Sequence, residues 1–360
     1  MPIELNPDVC SDEAREIEQG LLEKVAGQDA AVRKVARAFQ VCLADMAPPG
    51  RPHAVFLMLG PTGTGKTYLV ESAAELVAHA KNAVLKVDCG EYQAPHEISK
   101  LIGSPPGYIG HEDTPPLFSP TNVQQKPFVL FDEIEKANET LRRLMLGILD
   151  KGTVRLGTNE TVDFTNTFVF MTSNLGAREI ENGLRPRIGF AARELAARSD
   201  VAREKDLEKI GIRAVRQEFS PEFMNRLDDV IVFNALTRAD LDRILDLELT
   251  KVQNRILAST SERKCVFHLE DSARAFLLQQ GYDPKYGARN LKRVIEKHVV
   301  FPLSALIASR QIALGDIVEI KHAEGGERLS FAKDEGGALI GCRSMPASPE
   351  PRPRQLGNGN

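Results

Sequence analysis

The chain has 360 residues, 42% of them hydrophobic and 27% charged, with a formal net charge of −4. That length supports two or three domains, each with its own core. The slightly acidic balance argues against a general nucleic-acid binder, which is usually basic. No apolar run approaches the roughly 20 residues needed to span a bilayer, and the stretch from Met1 to Ser11 lacks the basic and then apolar succession of a signal peptide. The five cysteines (Cys10, Cys42, Cys89, Cys265, Cys342) are scattered without a C-x-x-C pair, the pattern of free thiols in a reducing compartment. The expectation is a cytoplasmic protein that engages neither a membrane nor nucleic acid.

In chain order, residues 12–25 and 28–46 read as two helices parted by a turn at Gly27, and MAPPGRPH breaks the chain after them. Five short apolar runs follow: AVFLML (54–59), AVLKV (83–87), FVLF (128–131), TFVFM (167–171) and VIVF (230–233). Runs this apolar suit strands buried on both faces, as in a parallel sheet. Helical patterns lie between them, such as TYLVESAAELVAHA from Thr67, and the alternation predicts an α/β layer fold. From Thr237 the character changes. Thr237 and Asp240 are spaced as a capping box, and Leu241, Ile244, Leu245, Leu249, Val252 and Ile256 follow helical spacing. A short strand at 265–268, a helix ended by Gly281, a helix from Ala288 and a strand near 317–321 make a small, mainly helical domain. The tail from about Lys333 is rich in Pro, Gly and Arg; it cannot bury a core and is predicted to be disordered.

The motif that carries chemistry is Gly60-Pro61-Thr62-Gly63-Thr64-Gly65-Lys66-Thr67, a G-x-x-x-x-G-K-[ST] loop with an apolar strand before it and an amphipathic helix after it. Its glycines let backbone N–H groups curl around a phosphate, and the helix N-terminus adds a favourable dipole. Lys66 can reach the β and γ phosphates of ATP, and the Thr67 hydroxyl can ligate Mg²⁺. A second apolar strand ends in Asp132 and Glu133. An aspartate there completes Mg²⁺ coordination through water, and the adjacent glutamate is placed to polarise an attacking water. Alone, an acidic pair at a strand end is commonplace; joined to the phosphate loop it points to ATP hydrolysis.

Several longer segments resemble the Clp AAA+ unfoldases, and specifically their second ATPase module, standing here alone. They are VAGQDAAV (25–32), GSPPGYIG (103–110), FDEIEKA (131–137), TVDFTNTFVFMTSNLGA (161–177), SPEFMNRLDDVIVF (220–233) and GYDPKYGARNLKR (281–293). The resemblance covers about residues 12–322. It implies a five-stranded parallel AAA+ sheet between helices over 12–235, after a flexible N-terminus at 1–11. A small Clp-type domain over 236–332 and the tail at 333–360 follow. It also implies roles: Val25 and Ala26 line the adenine pocket, and Asn174 is the sensor that orients water or γ-phosphate. Arg289 is the second sensor, and Arg226 is an arginine finger supplied to the ATP of the neighbouring subunit in a homo-oligomeric ring, hexameric in this family. Read without the family, Arg226 and Arg289 are surface arginines; phosphoryl transfer, which spreads negative charge, favours the functional reading. Tyr108 matches the aromatic of the axial pore loop that grips an unfolded or aggregated protein. Ile188, Gly189 and Phe190 sit where some relatives carry a loop that docks onto a ClpP-like peptidase, although a hydrophobic turn packed on the module is the simpler reading of three residues.

Two stretches depart from the family pattern. HEDTPPLFSPTNVQQ, after the pore tyrosine, carries three prolines that would break a regular helix. Asn159-Glu160 and Thr165 replace the glycine-arginine and arginine that usually flank the TVDF run. The leading expectation is an ATP-hydrolysing ring motor that unfolds or remodels proteins by threading. A nucleotide-controlled scaffold that binds partners without threading them suits the divergent loops, and a nucleic-acid remodeller is disfavoured by the acidic balance.

Overall fold

The computed structural model describes residues 6, 10–80, 82–104, 115–177, 200–259, 264–283, 287–323 and 325–333. Tyr108, the Ile188-Gly189-Phe190 tripeptide and the tail beyond Lys333 lie outside the described residues. The chain divides into two units. One comprises Met1–Ile244 with Tyr282–Leu291, and the other Leu245–Gly281 with Lys292–Asn360.

The first unit opens with α1 (Asp12–Lys24) and α2 (Asp29–Leu43). The Ser11 hydroxyl caps α1 by accepting from the Ala14 N–H. Then come β1 (Ala54–Leu59), α3 (Lys66–Ala78), β2 (Val84–Asp88), α4 (Ser99–Ile102), α5 (Pro120–Gln125), β3 (Phe128–Asp132) and α6 (Glu139–Lys151). The hairpin strands β4 (Thr153–Arg155) and β5 (Thr161–Asp163), which the apolar pattern did not reveal, precede β6 (Phe168–Ser173), α7 (Asp200–Glu218), α8 (Pro221–Met224) and β7 (Asp229–Val232).

Strands β1, β2, β3, β6 and β7 are the five apolar runs. They form one sheet in the order β2-β3-β6-β1-β7, every neighbouring pair parallel. Strands β1 and β6 are buried at every residue, because the sheet has a hydrophobic layer on each side. Val55, Leu57 and Leu59 face one layer, while Ala54, Phe56 and Met58 face the other, as the two-residue period of a strand requires. Since all five strands run the same way, their carboxyl ends open on a single edge, where ligands of open α/β sheets bind.

The proline-rich stretch is anchored at its described end. Leu117 and Phe118 donate their N–H groups to Lys100 O and Leu101 O. Pro115 and Pro116 lie outside any helix, as expected, while Pro120 begins a short one, because at the first helical position its missing N–H has no intrahelical acceptor to lose. Phe118 is fully buried, with its ring edge-on to Phe131 at 6.3 Å and Phe164 at 5.3 Å between centroids.

The long helix α9 (Arg238–Ala258) starts in the first unit and continues into the second. The predicted capping box is present: the Thr237 hydroxyl accepts from the Asp240 N–H, and the Asp240 carboxylate accepts from the Thr237 N–H. The second unit contains β8 (Val266–Leu269), α10 (Asp271–Gly281), the second half of helix α11 (Ala288–Ile295), a π-helical turn, helix α12 (Phe301–Ala308), β9 (Ile317–His322) and β10 (Leu329–Lys333). Its sheet runs β10-β9-β8. The outer edge of β8 is closed by Gln253, whose side chain donates to Cys265 O and accepts from the Phe267 N–H. Strand β10 is an addition to the predicted elements. Among the described residues, no helix is long and apolar enough to cross a membrane.

Phe118→Ala should lower the unfolding free energy by about 3–5 kcal/mol, the usual cost of emptying a buried aromatic site. Denaturant unfolding with an unchanged m-value and a lower midpoint would show it. An unshifted midpoint would mean that the proline-rich segment is not held by this ring.

Candidate nucleotide-binding site

The phosphate loop leaves β1 at Leu59 and enters α3 at Lys66. Gly60 must be glycine: its φ is +138°, and an added Cβ would lie 2.5 Å from Phe233 O. The Thr64 hydroxyl donates to Pro61 O at 2.9 Å, which closes the loop on itself. Thr67 follows in the first turn of α3, where N–H groups without helical partners point toward an incoming anion.

Lys66 is only 8% exposed. Its ammonium donates to Gly60 O at 2.6 Å, Pro61 O at 2.9 Å and Asn174 Oδ1 at 3.0 Å. Burial pushes its pKa down to about 8, and the Arg289 guanidinium pushes the same way; the carboxylates of Glu135, Asp132 and Glu133 oppose the shift. Asn174 lies just beyond β6, so the neighbouring β1 and β6 bring lysine and amide together. Asn174 Oδ1 also accepts from the Thr62 hydroxyl at 3.4 Å, and its Nδ2 donates to Glu133 Oε1 at 3.5 Å.

The two acidic residues end β3, the neighbour of β6 on its other side. Asp132 accepts a hydrogen bond from the Thr172 hydroxyl. Glu133 has left-handed backbone, φ 56° and ψ 52°, and its carboxylate pairs with Lys136 Nζ at 2.5 Å. That contact raises the pKa of Lys136, first through the hydrogen bond and then through charge. Glu135, three residues after Asp132, accepts from the Asn174 N–H at 3.1 Å and so ties the ends of β3 and β6.

Val25 and Ala26 are both buried, at the end of α1. Next to them is a residue whose part in the site was not read from the sequence. Gln28 donates its amide to Thr64 O at 3.2 Å and Asn234 O at 3.0 Å, and accepts from the Asn234 N–H at 3.1 Å. It clamps the phosphate loop to the chain leaving β7. No local signal marks it: a glutamine in the turn between two helices becomes a clamp only because folding buries it, at 2% exposure, where its amide must be hydrogen-bonded. Thr172, Glu135 and Lys136 likewise lie within the longer family motifs, where nothing local assigns them a part.

Arg289 belongs to the same unit as the phosphate loop. Ala288 donates its N–H to Gly63 O at 3.1 Å. Gly287 has φ +52°, and a Cβ there would lie 2.7 Å from Gly63 O, so only glycine allows this approach. Arg226 is elsewhere. Asp228, two residues on, pairs both its backbone N–H and its carboxylate with Val55 at the start of β1, and the Arg226 carbonyl accepts from Arg51 at 3.4 Å. The phosphate loop follows the other end of β1, roughly 17 Å away for a six-residue strand. The Arg226 guanidinium instead meets Asp150 at 3.1 Å.

Among the described residues, then, Lys66, Asn174, Asp132 and Glu133 converge, Arg289 approaches the phosphate loop through its backbone neighbours, and Arg226 stands at the opposite edge of the sheet.

Comparison with known proteins places this geometry. Residues 51–230 match the sequence profile of the AAA domain (Cdc48 subfamily), and residues 236–320 that of the C-terminal, D2-small domain of ClpB protein. Chaperone protein ClpB of Rhizobium meliloti is 38% identical over 327 residues, 90% of this chain and 35% of that protein. Its namesake in Brucella suis is 38% identical over 323 residues, 89% of this chain and 34% of its own length. A Saccharomyces cerevisiae Hsp104–casein complex superposes with a TM-score of 0.75 at 31% identity, covering 89% of this chain and 53% of the other. An S. cerevisiae Hsp104–ADP complex superposes with a TM-score of 0.74 at 31% identity, covering 88% and 52%. The chain thus spans about a third of the length of these curated relatives. It belongs to the AAA family of ATPases, with a small domain of the ClpB D2 type behind its AAA domain.

Proposed function

We propose that the chain is an ATP-driven motor that closes head-to-tail with copies of itself into a six-membered ring and unfolds or remodels proteins by drawing them through an axial pore. The observation that carries the reading is the meeting of a buried lysine, an amide and two carboxylates from three adjacent strands at one sheet edge. The resemblance to ClpB chaperones and to casein-bound Hsp104 supports the choice of protein as substrate.

In this reading Lys66 passes from the carbonyls of Gly60 and Pro61 to the β and γ phosphates of ATP, and the open first turn of α3 adds N–H donors. Thr67 and Asp132 would hold Mg²⁺. A hydroxyl and a carboxylate are hard oxygen donors suited to that ion, and so sparse a protein set leaves room for waters and substrate phosphates. Bound there, the ion would neutralise charge on the phosphates. Val25 and Ala26 present apolar surface to adenine, and Glu133 takes the proton of the attacking water while Asn174 orients that water. Glu133→Gln should still bind ATP but turn over on the order of 10²–10⁴-fold more slowly, measured as steady-state phosphate release. Turnover equal to wild type would remove Glu133 from the role.

Arg226 stands at the sheet edge away from its own phosphate loop, which supports its service to a neighbour's ATP. A head-to-tail interface that supplies one residue per site closes into a ring. Arg226→Ala and Lys66→Ala subunits, each inactive alone, should regain part of their hydrolysis when mixed, because some interfaces then pair an intact pocket with an intact finger. Activity independent of protein concentration, with no gain on mixing, would refute assembly of this kind.

Tyr108 carries the force in this scheme. Its ring offers a sequence-tolerant contact to a passing chain at little rotamer cost. Tyr108→Ala should keep basal ATPase within a few-fold while abolishing unfolding of a tagged fluorescent substrate, and Tyr108→Phe should keep most of that unfolding. If the alanine variant unfolds as well as wild type, or wild type unfolds nothing, the scaffold reading replaces threading.

A further inference from the structure

Glu133 holds a backbone conformation that few non-glycine residues adopt, with φ +56°. The register between β3 and β6 ends at Phe131 and Met171, so the sheet ladder offers the Glu133 amide no acceptor. The acceptor is a side chain: the Thr172 Oγ1, at 2.9 Å. A threonine hydroxyl has one proton and two lone pairs, and here the proton goes to Asp132 Oδ1. With its hydrogen committed to that carboxylate, the hydroxyl turns a lone pair to the Glu133 N–H. Thr172 is 1% exposed, so bulk water does not stand in for it. One buried hydroxyl thus binds both acidic residues, and the alternation of β6 sets it there, one residue after Met171.

We propose that Thr172 is a positioning residue for hydrolysis: its hydroxyl, oriented by Asp132, fixes the Glu133 peptide in its turned conformation and so aims the Glu133 carboxylate at the attacking water. The proposal rests on the reading of Glu133 as the residue that activates water. Both hydrogen bonds of the Thr172 hydroxyl go to the acidic pair, so it acts through Glu133. Without the hydroxyl, the turned peptide loses its buried acceptor and can relax toward ordinary backbone, which would swing the carboxylate away.

The test compares Thr172→Val, nearly equal in volume but without the hydroxyl, with Thr172→Ser, which keeps it; Thr172→Ala replaces the valine variant if that one does not fold. Turnover is measured at saturating ATP and protein, nucleotide affinity by fluorescent ADP, and both across a magnesium titration. The valine variant should lose roughly tenfold in turnover, in line with the sensitivity of catalysis to sub-ångström misplacement, with its ADP affinity within about twofold of wild type. The serine variant should retain turnover within about twofold. In a Glu133→Gln background the valine change should cost less than about twofold more, because residues acting as one unit are not additive. Wild-type turnover in Thr172→Val would overturn the proposal, as would equal losses in the serine and valine variants, or the full tenfold loss repeated on top of Glu133→Gln. Recovery of the valine variant by excess magnesium would also overturn it, since the hydroxyl would then act through Asp132 and the metal. Equal turnover of wild type and Glu133→Gln would instead sink the underlying reading of Glu133.

Discussion

A buried ammonium group sets the terms for the first unit. Lys66 is withdrawn from water and must find oxygen partners, because an unsolvated charge without them is far too costly to bury. It finds two carbonyls of its own loop and the side-chain oxygen of Asn174. None of the three is a carboxylate, so it has no direct ion pair, and desolvation outweighs the nearby carboxylates of Glu135, Asp132 and Glu133 and drives its pKa down to about 8. In the proposed function this cation exchanges its neutral acceptors for phosphate oxygens. The same contacts stitch the loop after β1 to the end of β6, which fixes where the site lies on the sheet.

The parallel sheet makes that stitching possible. With β1, β6 and β3 adjacent and in parallel register, the loops that leave them emerge side by side. Residues 60–67, 172–174 and 132–136 are distant in sequence but meet at one edge. Beneath them both faces of the sheet are filled with apolar side chains, and this rigid layer allows hydrogen bonds near 3 Å to hold the functional groups in place. Gln28 extends the support to a fourth connection by holding Thr64 and Asn234 together. The proline-rich departure from the family pattern leaves this foundation intact, because Phe118 anchors it in the same core.

The opposite edge of the sheet carries a different cluster. Arg51 bonds the carboxylate of Asp228 at 2.8 Å and reaches the Arg226 carbonyl, while Asp150 meets the Arg226 side chain. Partly exposed pairs of this kind add little to stability; their effect is to set the direction of the chain between α8 and β7. Pocket and arginine at opposite edges is what the proposed head-to-tail ring requires, since each subunit would then offer its arginine to the next one's pocket.

The five strands, the phosphate loop, the acidic pair and the capped helix from Thr237 are legible along the chain, because each is written in local periodicity or in a short motif whose spacing carries its own mechanism. Strand order was not legible from periodicity, and only the structure shows that β6 lies between β1 and β3. That placement brings Asn174 to Lys66 and puts Thr172 beside Asp132, so both relations depend on contacts about 40 or more residues apart in the chain. A threonine at the end of an apolar strand, or a glutamine in a helix turn, looks ordinary in a linear sequence. Each matters here because folding buries it, and a buried hydroxyl or amide must satisfy its hydrogen bonds with whatever groups the tertiary structure puts within reach.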